Sequence, residues 1–257
     1  MLRRSKLVYS SGNVATVFVL PMLVALACLA LPTARPETSK SSLPVAPSAI
    51  VKGHVKYEGI LPKAKRLDMS KEPNCAKQYT TPPVSENVMG GANNALANVV
   101  VYISDGLPTD AASGHVTLTQ YGCRYFPHVL ASLAGQEIWV RNEDAVNHTV
   151  HLMTKTNREL NRLQPPYGPE FAITNDKPEF IKVKCELHPW MRGIIAVLKN
   201  SHFAVTDADG SFALPELSPG KYTITVWHES FGTESQQIVL GGNENKNINF
   251  VLRVKND

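Results

Sequence analysis

Several signatures of catalysis are missing from this sequence. It has no G-x-S-x-G elbow, P-loop, paired-carboxylate or zinc-protease motif. These absences remove the usual routes to nucleophilic, phosphoryl-transfer and metallohydrolase chemistry, and the chain is expected to have no enzymatic activity of its own. A basic excess is missing too. There are 26 Lys and Arg against 22 Asp and Glu, and Arg3, Arg4 and Lys6 supply three of the cations, which leaves 23 against 22 beyond residue 30. Nucleic-acid binders usually carry a clear surplus, so no nucleic-acid partner is expected. No long stretch has a helical period, which argues against a helix-rich fold. Cysteine is scarce: Cys28 lies in an N-terminal apolar run, and only Cys75, Cys123 and Cys185 remain. An odd number cannot pair completely, so one thiol needs another role.

The N-terminus reads as an export signal. Arg3, Arg4 and Lys6 precede an almost unbroken apolar run from Val14 to Leu31, and Cys28 and Ala30 are small enough for cleavage after Ala30. At roughly 18 residues, the run could instead stay as a membrane anchor. In both cases residues 1–30 send the rest of the chain out of the cytoplasm, to a periplasm or to the outer side of a membrane. Residues 31–49 are rich in Pro, Ser and Thr and read as a solvated linker.

Beyond the linker, short runs of β-branched and aromatic residues recur between Gly, Pro, Asn and Asp. Ile50–Tyr57, Ala97–Ser104, His148–Met153, Glu179–Cys185, Gly193–Leu198 and Lys221–Trp227 are the clearest. This grammar predicts an all-β sandwich architecture. Met69–Gln78 and Thr156–Leu163 are candidates for short helices, and residues 163–168, with Pro165 and Pro166, for a loop.

One constellation carries chemistry. The segment "VKCELHPWMRGIIAV" sets Cys185, His188 and Met191 in the spacing C-x-x-H-x-x-M, and "WVRNEDAVNHTVH" supplies His148 after a strand and a loop. A thiolate and a thioether suit Cu(I), and imidazoles suit either copper state. Two His and one Cys in a plane, with a long axial Met, form a mononuclear blue-copper site. A tight loop holding three ligands, closed by a fourth from a distant strand, fixes the geometry and keeps the barrier to electron transfer small. Glu186 and Leu187 offer no second cysteine for a dinuclear centre, and the repeated His-x-His pairs of a multicopper oxidase are absent. An axial Met is a poor zinc ligand.

These residues resemble the cupredoxins, and most closely the amicyanin and plastocyanin group. "YFPHVLASLAGQEIWVRNEDAVNHTVHLM" is similar to that family's strand, Gly turn, strand and Asn-to-His segment, and "CELHPWMRG" to amicyanin's short ligand loop. The resemblance implies a Greek-key sandwich, copper as cofactor, and His148, Cys185, His188 and Met191 as its ligands. It also implies that His188 shows an edge to solvent within an apolar patch, where electrons leave. Thr149 stands where the family usually has Asn, Val183 and Lys184 replace a common Tyr-x before the Cys, and the loop 155–173 is longer and Pro-rich.

A second resemblance covers the C-terminal part. "TDADGSFALPELSPGKYTITVWHE" resembles the transthyretin-like sandwich of carboxypeptidase regulatory domains, whose first two strands have counterparts far upstream in "VKGHVKYEG" and "ALANVVVYISDG". The expected organisation is therefore a split transthyretin-like sandwich, residues 50–113 and 200–257, with a cupredoxin-like copper domain, residues 114–199, inserted into it.

With Cys185 assigned to the metal, Cys75 and Cys123 are left to pair in an oxidising compartment, the alternative being two buried free thiols. The expected function is single-electron transfer between redox protein partners. The alternatives are a non-redox binding module or spacer, with Trp190, Trp227 and Tyr167 as candidate sugar-stacking residues, and copper storage or delivery. Glu143 and Asp144 read as solvated loop residues, His128 and His151 as structural or surface ones, and His228 has no partner pattern. Trp190 reads equally as packing beside the ligand loop or as an exposed docking residue.

Overall fold

The computed structural model describes residues 48–254. The signal or anchor expected at 1–30, and all but the end of the expected linker, lie outside the described residues. No helix among the described residues is long and apolar enough to cross a membrane.

The described chain is almost entirely β, as the strand grammar predicts. It opens with β1 (Ile50–Glu58) and, after a long connection, β2 (Val100–Asp105). Nine strands follow: β3 (His115–Tyr121), β4 (Arg124–Phe126), β5 (Val129–Leu133), β6 (Glu137–Asn142), β7 (His148–Met153), β8 (Leu160–Gln164), β9 (Phe171–Thr174), β10 (Glu179–Lys184) and β11 (Arg192–Leu198). The last six are β12 (Phe203–Val205), β13 (Ser211–Ala213), β14 (Gly220–His228), β15 (Gly232–Leu240), β16 (Asn245–Asn247) and β17 (Phe250–Arg253).

These strands form four sheets. One has the order β13-β1-β16, with β17 also on β1, and a second has the order β12-β2-β14-β15. Both are built from the two ends of the described chain and enclose one apolar core, with Val51, Val101, Ile224 and Phe250 at its centre. The other two sheets, β5-β11-β10-β7-β8 and β4-β3-β6-β9, come from the middle and enclose a second core around Leu118, Ile138, Val150 and Ile195. The chain leaves the first body after β2 and re-enters it at β12, directly beside β2, with Tyr102 opposite Phe203 and Val100 opposite Val205. At the crossing the Asp110 amide donates to the Lys199 carbonyl at 2.9 Å, and the Ser201 amide donates to the Asp110 carboxylate at 2.7 Å.

Sequence period explains most of this. In β6, Ile138, Val140 and Asn142 point inward while Glu137, Trp139 and Arg141 point out, the alternation of a half-buried strand. β11 is apolar without alternation because both of its faces are covered. Ile195 and Val197 pack into the middle body's core, and Ile194, Ala196 and Leu198 into a third cluster against Val100, Phe203 and Trp227. In that seam the Phe180 and Trp227 rings stack at 4.1 Å and 13°. Gly53 in β1 lies where any side chain would strike the Ile248 carbonyl. Gly210, at φ +75°, closes the Asp207–Gly210 turn, a conformation that favours glycine.

The two helix candidates fare differently. Of Met69–Gln78, only Pro73–Ala76 is helical, capped by the Glu72 side chain on the Asn74 amide. Thr156–Leu163 is not a helix. The Glu179 carboxylate gathers the amides of Lys155, Thr156 and Asn157 into a turn, and the chain then pairs as β8 along β7, with Leu160 opposite Leu152 and Gln164 opposite His148. The first two residues of the expected 163–168 loop thus belong to a strand.

Candidate metal centre

Strand pairing sets the positions of the four candidate ligands. His148 opens β7, and Cys185 follows β10 directly. β10 and β11 are antiparallel neighbours in register at Lys184 and Arg192, so the residues between them form a tight loop. The Cys185 amide donates to the Met191 carbonyl at 3.1 Å, and the Met191 amide to the His188 carbonyl at 2.9 Å. β7 lies on the other side of β10, which carries His148 to the mouth of that loop.

Three donor atoms converge. His148 Nδ1 and His188 Nδ1 are 2.9 Å apart, and Cys185 Sγ is 4.0 Å from the first and 3.6 Å from the second. All three residues are buried. Met191 is fully buried in the same apolar cluster as Cys185. Metal–nitrogen and metal–sulfur bonds of about 2.0 and 2.3 Å put two donors on one ion no more than about 4.3 Å apart, and all three separations fall inside that limit. The residues therefore fit a single thiophilic ion, with a thiolate and two imidazoles as its donors.

The electrostatics favour the required protonation states. Burial pushes the Cys185 thiol up, but hydrogen bonds from His148, His188 and Thr149 outweigh it and bring it down to about 5 from an ordinary value near 9. The Thr149 amide donates to Sγ at 3.3 Å and its hydroxyl lies 3.7 Å away. The same hydroxyl accepts from the Glu186 amide at 2.7 Å, tying β7 to the ligand loop.

Asp144 does not fit the solvated-loop reading. Glu143 is exposed beside Arg141, but Asp144 is buried, and its Oδ2 lies 2.9 Å from His148 Nε2. Its oxygens also accept from the Gly122 and Cys123 amides and from Gln78 Nε2. Burial pushes its carboxyl up, yet these hydrogen bonds, with His148's first among them, hold it below the usual range. Nothing in the residue spacing distinguishes it. Asn142, two residues earlier, makes the arrangement: its Oδ1 receives the Asp144 amide, and its Nδ2 binds the carbonyls of Val146, Gln164 and Pro165.

Cys75 and Cys123 are joined by a disulfide with a sequence separation of 48. Cys123, Asp144 and His148 also lie close enough to hold an ion, but that sulfur is bonded and that carboxylate is already filled by amide donors. Cys185 is the free cysteine of the described chain.

The expected solvent edge of His188 is narrow and lies in a groove lined by Val146, Leu187, Pro189 and Trp190. The residue is only 4% exposed. Its Nε2 lies 3.9 Å from the Glu72 carboxylate, and the Trp190 ring sits at 5.0 Å. The covering segment belongs to the β1–β2 connection. Tyr79 donates to the Gly122 carbonyl at 2.7 Å, and the Trp190 indole to the Cys123 carbonyl at 3.1 Å. Trp190 thus packs beside the ligand loop. Trp227, a candidate sugar platform, has one face taken by Phe180, while Tyr167 is exposed. His151 is held between Glu186 and Glu159, and His128 pairs with Glu229 across the seam at 2.5 Å.

A family model for the carboxypeptidase regulatory-like domain matches residues 195–253. No curated protein matches the chain. Among solved structures, a purple cupredoxin from Nitrosopumilus maritimus is 19% identical, with a TM-score of 0.28 over 32% of this chain and 99% of that one. A methionine-to-alanine mutant of amicyanin in its Cu(I) form is 19% identical, with a TM-score of 0.31 over 38% and 98%. A copper-containing nitrite reductase from Thermus scotoductus is 22% identical, with a TM-score of 0.31 over 46% of this chain and 27% of that one. The chain is thus similar at its C-terminal end to carboxypeptidase regulatory-like domains.

Proposed function

We propose that the protein is an exported mononuclear blue-copper protein that passes single electrons between redox protein partners and catalyses no reaction of its own. The observation that carries this reading is the convergence of His148 Nδ1, His188 Nδ1 and Cys185 Sγ in a buried site, with Met191 in the same core. Bound copper would supply one-electron chemistry at this site. The protein's own residues do the rest. The Thr149 amide and hydroxyl stabilise the thiolate, Asp144 occupies His148 Nε2 so that Nδ1 faces the site, and the apolar core around Met191 shields the site. Fixed donors of this kind resist rearrangement between oxidation states. Export is supported by the N-terminal signal pattern and by the Cys75–Cys123 bond, since disulfides persist in oxidising compartments.

The test is the visible spectrum of the purified protein given one equivalent of Cu(II). An intense thiolate-to-copper band and a reversible one-electron wave are expected. A colourless copper complex would reject the electron-transfer reading and leave copper storage or a non-redox binding role.

A further inference from the structure

The segment that covers His188 does not close the site completely. Between it and the ligand loop runs a groove of about 1070 Å³ that reaches His188. The apolar part of its lining includes Val146, Pro166, Leu187, Pro189 and Trp190. Lys65, Lys71 and Arg192 are exposed around it, and none has a carboxylate within ion-pair distance among the described residues. Two acids share the groove. Asp68 is engaged by the Ser70 amide, and Glu72 caps the short helix and faces His188. Counting Arg66, four cations stand against these two anions.

We propose that this groove is a binding site for a small organic anion with an apolar or aromatic body. The lining decides the chemistry: an apolar body meets the Trp190 and Leu187 side, and a carboxylate or similar group meets the exposed Lys65 and Lys71. The shape decides the size. At about 1070 Å³ the groove lies just above the upper end of the range of small-molecule sites, roughly 300–1,000 Å³. The site exists only because the two bodies are joined. One wall is the β1–β2 connection, held in place by the Cys75–Cys123 bond and by Tyr79 on Gly122, and the other is the ligand loop. That a bound ligand would exchange electrons through His188 rests on the copper reading, but that it binds does not.

The test uses the full chain, metal-free and copper-loaded, with 1-naphthoate as the probe and the 1-naphthylmethylammonium cation as its control. The Trp190 indole N–H is followed by ¹H–¹⁵N NMR in the metal-free protein. Naphthoate is expected to shift that signal saturably and to bind at least tenfold more tightly than the cation. K65E/K71E, at two exposed positions, should weaken naphthoate at least tenfold, while K221E on β14 should leave it unchanged. Equal binding of anion and cation, an unmoved Trp190 signal, or no loss in K65E/K71E overturns the proposal. A protein that binds naphthoate but gives no visible band with Cu(II) keeps the groove and loses the electron-transfer reading. The reverse result loses only the groove.

Discussion

Asp144 Oδ2 accepts from His148 Nε2 at 2.9 Å, inside a site that water does not reach. The bond fixes the imidazole tautomer, leaves Nδ1 as the free donor and makes the ring more basic. Asp144→Asn retains an acceptor for some of the amide donors but removes the charge. Metal affinity should fall about 10–100-fold, the usual effect of losing such a partner. The reduction potential should rise, because less negative charge then stabilises Cu(II). Chelator competition and voltammetry measure both. An unchanged potential would mean that Asp144 serves only to fold the 142–147 loop.

Cys185→Ser should abolish the visible band, since the thiolate is its electron donor. Met191→Leu should retain copper and shift its potential, because a long axial ligand tunes the centre more than it holds the ion. A blue Cys185→Ser protein would place the chromophore elsewhere.

The Cys75–Cys123 bond closes a loop with a sequence separation of 48, which the chain-entropy model values at about 4 kcal/mol. Cys75→Ala/Cys123→Ala should lose stability of that order in denaturant titrations. Because Trp190 and Asp144 both bond to Cys123's backbone, the variant's copper spectrum should broaden too. Intact stability in the double variant, or two alkylatable thiols in the unreduced exported protein, would count against the bond.

His228 gives an acid limb to stability. It is buried, its Nε2 has no hydrogen-bond partner, and its ring stacks on Phe231 at 4.7 Å. Burial, helped by neighbouring His128 and opposed by Glu229, lowers its pKa to about 4. An unfolded histidine takes up its proton near pH 6.5 and the folded one only near pH 4, so acid favours unfolding between those values and has no such effect above them. The loss should approach about 3 kcal/mol at the low end. Melting temperatures between pH 7 and 4 measure it, and His228→Phe should flatten the slope. An equally steep slope in that variant would assign it to other groups.

The sequence speaks most clearly where chemistry and spacing coincide. Cys185, His188 and Met191 fall in one loop, so their pattern is visible in a line of text, and the alternation in β1 and β6 shows which face is buried. β4, β8 and β16 are not visible there, because short strands without alternation exist only through their partners: β8 reads "LNRLQ" and is mostly exposed. Asp144 reads as a solvated residue for a related reason. Its burial depends on Gln78, Gly122 and Cys123, residues that lie 21 or more positions away. The covering of His188 by Glu72 joins residues separated by more than a hundred positions, and no local pattern encodes it.

The return of the chain beside β2 has a consequence for how the molecule is made. Until β12 pairs with β2 and β14 joins them, the first body lacks most of one sheet. Bringing Asp110 and Lys199 together across an unstructured stretch would carry a loop-closure penalty that grows with its length. A folded middle body removes that penalty, because its own two ends already meet there. During synthesis the middle body emerges complete before the final strands exist, so it can serve as the template on which the outer body closes. A lesion in the ligand loop is then expected to reach the outer sandwich as a folding defect.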